Sequence, residues 1–166
     1  FGTILLPLLM VATFGFGFGY AKPVPVNPAY FRDYRRGMLL TGMAGPAANL
    51  ALALVGGLLL RGVGTLVVAA STPLAYASVA VYYFVAMNLA LLFFNLIPLP
   101  PLAGSRVLPL FLGQRALRAY VRFEQYGLLV LFGLMWLGPR WLGFDPFSEY
   151  FARTVKPVLR LLTGLE

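Results

Sequence analysis

Four long stretches of the sequence carry almost no charged residue, and they predict how the chain is organised. They cover residues 1–21, 37–60, 74–97 and 125–141. A membrane-spanning helix needs roughly 20 apolar residues, so each stretch is close to that length. The fourth is the shortest and contains Arg140 near its end. Because polar and apolar residues do not alternate strictly, a β-barrel is disfavoured. The pattern predicts an all-α membrane protein with about four transmembrane helices.

Two further segments have patterns of their own. Glycine and aromatic residues alternate over residues 14–20, which is typical of a short extended or re-entrant segment, with a glycine-rich helix end as the alternative. Over residues 146–165, apolar residues recur at helical spacing with basic residues mainly between them. That pattern predicts a C-terminal helix lying along the membrane interface and interrupted at Pro157. We interpret the whole chain as one transmembrane domain, with its core in residues 1–110 and the fourth span and amphipathic tail in 111–166.

The composition supports the membrane interpretation and excludes several classes of protein. Hydrophobic residues make up 60% of the 166 residues and charged residues only 11%, far from the averages of soluble domains. The chain has no His and no Cys, so it cannot form a disulfide or an ordinary zinc, copper, haem or iron–sulfur site. Its net charge of +8 comes from basic residues scattered between apolar runs, and a nucleic-acid binder would cluster them. We therefore expect the chain to lie in a lipid bilayer and not to bind nucleic acid.

The distribution of charge predicts the topology. Loop 22–36 holds four basic residues and one acidic residue, and so does the loop 98–124. With four spans these two loops lie on the same side. The opposite side carries only Arg61 and a tail in which four basic residues meet three acidic ones. The positive-inside rule then places loops 22–36 and 98–124 in the cytoplasm of a multi-pass cell membrane protein.

The third stretch closes with a run that combines an amide with prolines. It reads Asn95-Leu-Ile-Pro98-Leu-Pro100-Pro101-Leu-Ala103-Gly104-Ser-Arg106. Proline cannot continue a helix, so the prolines end the span. Placing a polar amide within the membrane costs free energy, so such a group usually faces a protein interior. From the residues alone, Asn95 is either a functional amide or a structural one that bonds carbonyls freed where the helix ends.

This run resembles the third signature of the site-2 protease family of intramembrane zinc metalloproteases. Asn95, Pro98, Pro101 and Gly104 match that signature, and Ala103 stands where the family has its zinc-ligating Asp. Two other segments resemble the family in the same order along the chain. Residues 21–28, with Pro23, Pro25 and Asn27, resemble its Pro-x-Asn loop, and residues 42–50 resemble its small-residue helix start.

The resemblance implies a function and a set of residues. The family hydrolyses transmembrane protein substrates inside the membrane, with zinc held by the Asp and by two His of an H-E-x-x-H helix. It implies Asn95 as a candidate donor to the oxyanion, and Pro23, Pro25 and Asn27 as substrate-binding residues that offer backbone groups to an extended segment. A plain proline-rich loop is the alternative for these last three residues.

The chain departs from the family at every zinc ligand. It contains no H-E-x-x-H helix, and Ala103 replaces the Asp. We therefore expect no bound zinc and no peptide hydrolysis by the chain as it stands. We interpret it as a fragment or inactivated form of such a protease, and because it starts at Phe1 without Met we expect it to belong to a longer protein. The alternative is a non-catalytic pseudoprotease that binds or retains transmembrane partners.

Overall fold

The structure, a computed structural model, describes residues 30–63 and 73–164, and the regular secondary structure of these residues is helical. The helices are α1 (Tyr34–Val63), α2 (Pro73–Leu96), a 3-10 turn (Ala103–Val107), α3 (Leu108–Phe111), α4 (Gln114–Glu124), α5 (Gly127–Leu142) and α6 (Pro146–Thr163). The chain divides into two compact units, Phe1–Arg32 and Asp33–Glu166. Only residues 30–32 of the first unit are described, and all of these helices belong to the second.

Helix α1 contains the second predicted span and is longer than the uncharged stretch. It starts at Tyr34 because the Asp33 carboxylate accepts hydrogen bonds from the backbone N–H groups of Arg35 and Arg36, at 3.0 and 3.2 Å. The helix continues through Pro46, whose ring is buried. The cap at Asp33 thus lets the helix start before the uncharged stretch, so that it includes Arg35 and Arg36.

Helix α2 coincides with the third predicted span almost to the residue. It begins at Pro73, where a missing N–H costs nothing, and ends at Leu96, just before the prolines. Arg35–Gly62 and Pro73–Leu96 are both long and apolar enough to cross a membrane. Many of their large apolar side chains are exposed, as expected of surfaces that face lipid: Leu50, Leu54, Val55, Leu58, Leu59, Tyr76, Val79, Tyr83 and Met87.

The fourth predicted span is a helix, but a short one. Helix α5 has 16 residues and ends at Gly143, which adopts the left-handed conformation with a φ of 73°. It is followed by α6 at a bend of 105°, and the two together form a third candidate span only if the bent pair crosses as one unit. The described residues therefore contain two or three candidate spans. The first predicted span (1–21) and the segment 14–20 lie outside the described residues, so a total of four spans stays a prediction.

The predicted interruption at Pro157 is wrong. Asp145 caps α6 by accepting a hydrogen bond from the Phe147 N–H at 3.0 Å, and the helix then runs unbroken to Thr163. The proline costs one backbone hydrogen bond, but Val155 and Leu159, on either side of it, are buried in the core. This packing holds both halves of the helix in place. The location of α6 along a membrane interface stays a prediction.

The core lies between α1, α2 and α6. It consists of Ala53, Leu60, Val85, Leu89, Leu92, Val155 and Leu159. The helices approach closely because α1 offers glycines at the contacts. A Cβ added to Gly56 would lie 2.6 Å from the Val85 Cγ2, and one added to Gly57 would lie 3.0 Å from the Leu162 Cβ. Small residues that admit the neighbouring helix are typical of packing in membranes.

Candidate functional site

The 3-10 turn, which contains Ala103, lies directly against the end of α2. A Cβ on Gly104 would collide with the Leu96 carbonyl and would come within 2.8 Å of the Ile97 oxygen. Only glycine allows this approach of two backbones. The contact carries the turn back to the end of α2, which places Ala103 near Asn95 although eight residues separate them along the chain.

Helix α4 holds the turn from another side. Ser105 is buried, and its Oγ donates a hydrogen bond to the Leu102 carbonyl at 2.7 Å. The Tyr120 hydroxyl donates to the Ser105 carbonyl at 2.9 Å. Burial raises the pKa of the Tyr120 phenol above its ordinary value of 10.0, so the hydroxyl stays protonated and able to donate to a higher pH than an exposed phenol would. The turn is thus bonded to a helix that follows it in sequence.

Arg106 connects the turn to α1. The aliphatic part of its side chain lies against Gly42, where an added Cβ would collide with the Arg106 Cδ. Gly45, one turn further along α1, has no atom within 4 Å of an added Cβ and therefore borders open space. The two glycines therefore have different surroundings: the Arg106 side chain packs on Gly42, whereas the space beside Gly45 is empty.

These contacts border an open cavity of about 280 Å³ between α1, α2 and the turn. Its lining brings together the glycine-containing stretch of α1, the amide at the end of α2, and the turn: Thr41, Gly42, Gly45, Pro46, Asn95, Pro101, Ala103 and Arg106. Two of the predicted site residues, Asn95 and Ala103, therefore share one cavity. Pro23, Pro25 and Asn27 lie outside the described residues.

Asn95 makes one hydrogen bond that is structural in kind. Its Nδ2 donates to the Leu91 carbonyl one turn earlier, at 2.8 Å. Asn88 bonds Phe84 in the same way at 2.8 Å, but it is buried. In contrast, Asn95 is half-buried and lines the cavity. An amide carries two N–H donors and an acceptor oxygen, and within the described part of the chain only one donor of Asn95 is used. The remaining donor can therefore act on a group in the cavity.

The residues around the cavity do not fit a zinc ion. Zinc takes thiolate, imidazole or carboxylate ligands, and this lining supplies a hydroxyl, an amide and a guanidinium. Residues 30–63 and 73–164 contain no group of three or more His, Cys, Asp or Glu side chains that could hold a metal ion. The Arg106 cation beside Ala103 also disfavours a second cation there. We derive no chemical step through a metal for this chain.

The sequence did not assign two residues of this lining. Thr41 lies on α1 with its Oγ1 donating to the Gly37 carbonyl at 2.9 Å, so the hydroxyl oxygen can still accept a hydrogen bond. Arg106 stood in the proline-rich run but received no role. Its spacing of three residues from Ala103 could have indicated a shared site, because residues three apart in a 3-10 helix lie on one side.

A second cavity of about 260 Å³ lies on the other side of Arg106. It is lined by Arg35 and Met38 of α1, by Arg106 and Pro109, and by α4 residues Leu117, Tyr120, Val121 and Glu124. Arg106 borders both cavities.

The chain is similar to a bacterial protein that is named as a putative zinc metalloprotease. It is 38% identical over 135 residues to "Putative zinc metalloprotease YwhC" of Bacillus subtilis (strain 168). The match takes in 78% of this chain and 57% of YwhC, so the chain spans little more than half of that relative. No protein-family model matches the chain. No solved structure matches it either. The similarity supports a relation to a zinc metalloprotease, in a chain that has the apolar helices of a membrane protein.

Proposed function

We propose that this chain is a site-2-protease-like membrane protein, a fragment or inactivated form of an intramembrane zinc metalloendopeptidase. One observation carries the proposal: Asn95, which matches the family signature, and Ala103, which stands at the position of its Asp, line one cavity together with Gly42 and Gly45. The similarity to YwhC supports it independently. In the intact family zinc is the cofactor, and in this chain residue 103 has no group to bind it.

The cavity receives a segment of a transmembrane protein substrate. Gly45 leaves backbone exposed on α1, and the free N–H of Asn95 can donate to a substrate carbonyl as its oxygen gains negative charge. Pro23, Pro25 and Asn27 would present backbone groups to the same segment. Without a ligand at position 103, the chain binds this segment and leaves the peptide bond intact.

Both basic loops face the cytoplasm in this proposal. The cavity lies between the N-terminal half of α1 and the end of α2, with Arg106 in its lining, and Arg35 and Arg36 lie in the first turn of α1. A cluster of arginines at the end of apolar helices favours the cytoplasmic side of a membrane. The substrate would therefore be engaged near its cytoplasmic end.

Photocross-linking tests whether the cavity binds a transmembrane segment. A benzophenone amino acid at Gly45 has open space to occupy, and the same residue at Gly62 is the matched control because it is also on α1 without atoms near an added Cβ. The probe is a synthetic leucine–alanine helix with a central Asn-Pro break, incorporated with the chain in lipid nanodiscs. We expect cross-links from position 45 and few from position 62. Equal yields would show that the cavity has no such role.

Restoring the ligand distinguishes an inactivated protease from a pseudoprotease. The substitution Ala103→Asp is introduced into the full-length product of the gene. The zinc content of the variant and its cleavage of a membrane-spanning reporter protein are then measured. We expect one zinc per chain and cleavage that a chelator abolishes. The pseudoprotease alternative predicts a different result: cross-linking from position 45, with no bound zinc and no cleavage in the Ala103→Asp variant.

A further inference from the structure

Helix α4 has one strongly basic face. Arg115, Arg118 and Arg122 are spaced by three and four residues, so they lie on one side of this 11-residue helix. All three side chains are exposed. They surround a shallow hollow of about 400 Å³, in which Ala119 is the fourth lining residue. The hollow has a small apolar residue among three guanidinium groups.

The opposite face of α4 is fixed to the protein. Leu117, Tyr120 and Val121 line the cavity beside Arg35 and Arg106, and the Tyr120 hydroxyl bonds to the Ser105 carbonyl. The orientation of the helix is thereby set, with the arginines turned away from the bundle.

The arginines have no acidic partner in the described part of the chain. The ion pairs found there join Arg36 to Asp33 and Arg153 to Glu149. The acidic residue of α4, Glu124, lines the cavity on the other face. Three positive charges therefore face outward without compensation, which calls for an anionic partner.

We propose that this arginine face binds the phosphate groups of anionic phospholipids in the membrane that α1 and α2 enter. Guanidinium groups match phosphate oxygens in geometry and charge, and the hollow over Ala119 leaves room for a headgroup. Only Gln125 and Tyr126 separate α4 from the apolar helix α5, which in a membrane would hold α4 close to the lipid. The proposal requires the chain to lie in a membrane and does not depend on protease activity.

Lipid selectivity tests this proposal directly. The full chain is reconstituted with spin-labelled phosphatidylglycerol or spin-labelled phosphatidylcholine, and the immobilised fraction of each lipid is measured. We expect a preference for phosphatidylglycerol of about fivefold, the effect of roughly one basic residue at a membrane surface. It should disappear in R115Q/R118Q/R122Q. The control R153Q/K156Q/R160Q removes the same net charge from α6 and should keep the preference.

A second variant guards against loss of folding. Ala119→Leu keeps every charge and replaces alanine with another good helix former, but its side chain fills the hollow. We expect it to reduce the preference for phosphatidylglycerol by at least half. Added inorganic phosphate should compete no better than chloride at equal ionic strength. The proposal is overturned if the wild-type chain shows no preference, if both triple variants lose it equally, if Ala119→Leu leaves it unchanged, or if free phosphate competes specifically.

Discussion

Arg106 lies across Gly42, with its Cδ in the space that a side chain on Gly42 would occupy. The contact joins the 3-10 turn to α1, and Arg106 lines both the cavity at Asn95 and the one beside α4. It also explains why this position of a long helix is a glycine, although glycine is a poor helix former.

A double-mutant cycle should reveal this contact. In the presence of Arg106, Gly42→Ala must push the arginine aside, which cancels the helix-propensity gain. Once Arg106 is also Ala, the same substitution should stabilise the chain by about 1 kcal/mol. The measurement is the free energy of unfolding in mixed detergent micelles. Gly45→Ala should be stabilising in both backgrounds, and additive Gly42 and Arg106 effects would contradict the contact.

Gly104→Ala should destabilise the chain by about 2 kcal/mol or more, because the added methyl group meets backbone carbonyls that cannot rotate away. Gly113→Ala is the matched control, since nothing lies within 4 Å of an added Cβ there. Unfolding of both variants in detergent checks the difference. A Gly104→Ala chain as stable as Gly113→Ala would show that the turn does not lie against α2.

Tyr120→Phe should cost about 1 kcal/mol of unfolding free energy, the typical value of one hydrogen bond. The variant keeps the ring and removes only the donor to the Ser105 carbonyl. Tyr126→Phe, an exposed tyrosine just beyond α4, should change stability little. Comparable losses in the two variants would contradict the assigned hydrogen bond.

Alkaline pH should weaken the same connection. The pKa of Tyr120 is raised in the folded chain, chiefly by burial, so the folded state binds its proton more tightly than the unfolded state. Its contribution to stability is complete below pH 10.0 and declines as the pH rises through the folded pKa. Unfolding free energies measured from about pH 8 to about pH 11 should fall more steeply for the wild type than for Tyr120→Phe. Identical slopes would contradict this expectation.

Leu159→Ala should cost about 2–3 kcal/mol because it leaves a cavity in the core between α1, α2 and α6. Leu161→Ala on the same helix removes an exposed side chain and should change stability by less than about 0.5 kcal/mol. Chemical unfolding of both variants measures the contrast. Equal effects would mean that α6 does not pack on the bundle through Leu159.

The helices that the sequence predicted well are those defined by local composition. Twenty-four uncharged residues ended by prolines sufficed to predict α2, whose observed bounds differ by one residue at each end. The predicted break at Pro157 failed because a proline has a local cost, whereas the packing of Val155 and Leu159 that offsets it involves distant residues.

The site was predictable only in part for the same reason. Asn95 and Ala103 could be singled out from a motif, but the approach of Gly104 to Leu96 and of Arg106 to Gly42 depends on contacts far apart in sequence. Helix α4 was treated as part of a loop. Its spacing of Arg115, Arg118 and Arg122 against Leu117, Tyr120 and Val121 was the signal that could have found it.

The backbone at residue 103 is positioned by its neighbours. Gly104 sets it against α2, Ser105 is bonded to Tyr120, and Arg106 lies on α1, whereas the Ala103 methyl group takes part in none of these contacts. A substitution of this one side chain therefore leaves these three contacts in place. In evolutionary terms, this separates one side chain from the architecture around it: a single codon can change residue 103 while the contacts of Gly104, Ser105 and Arg106 stay as they are.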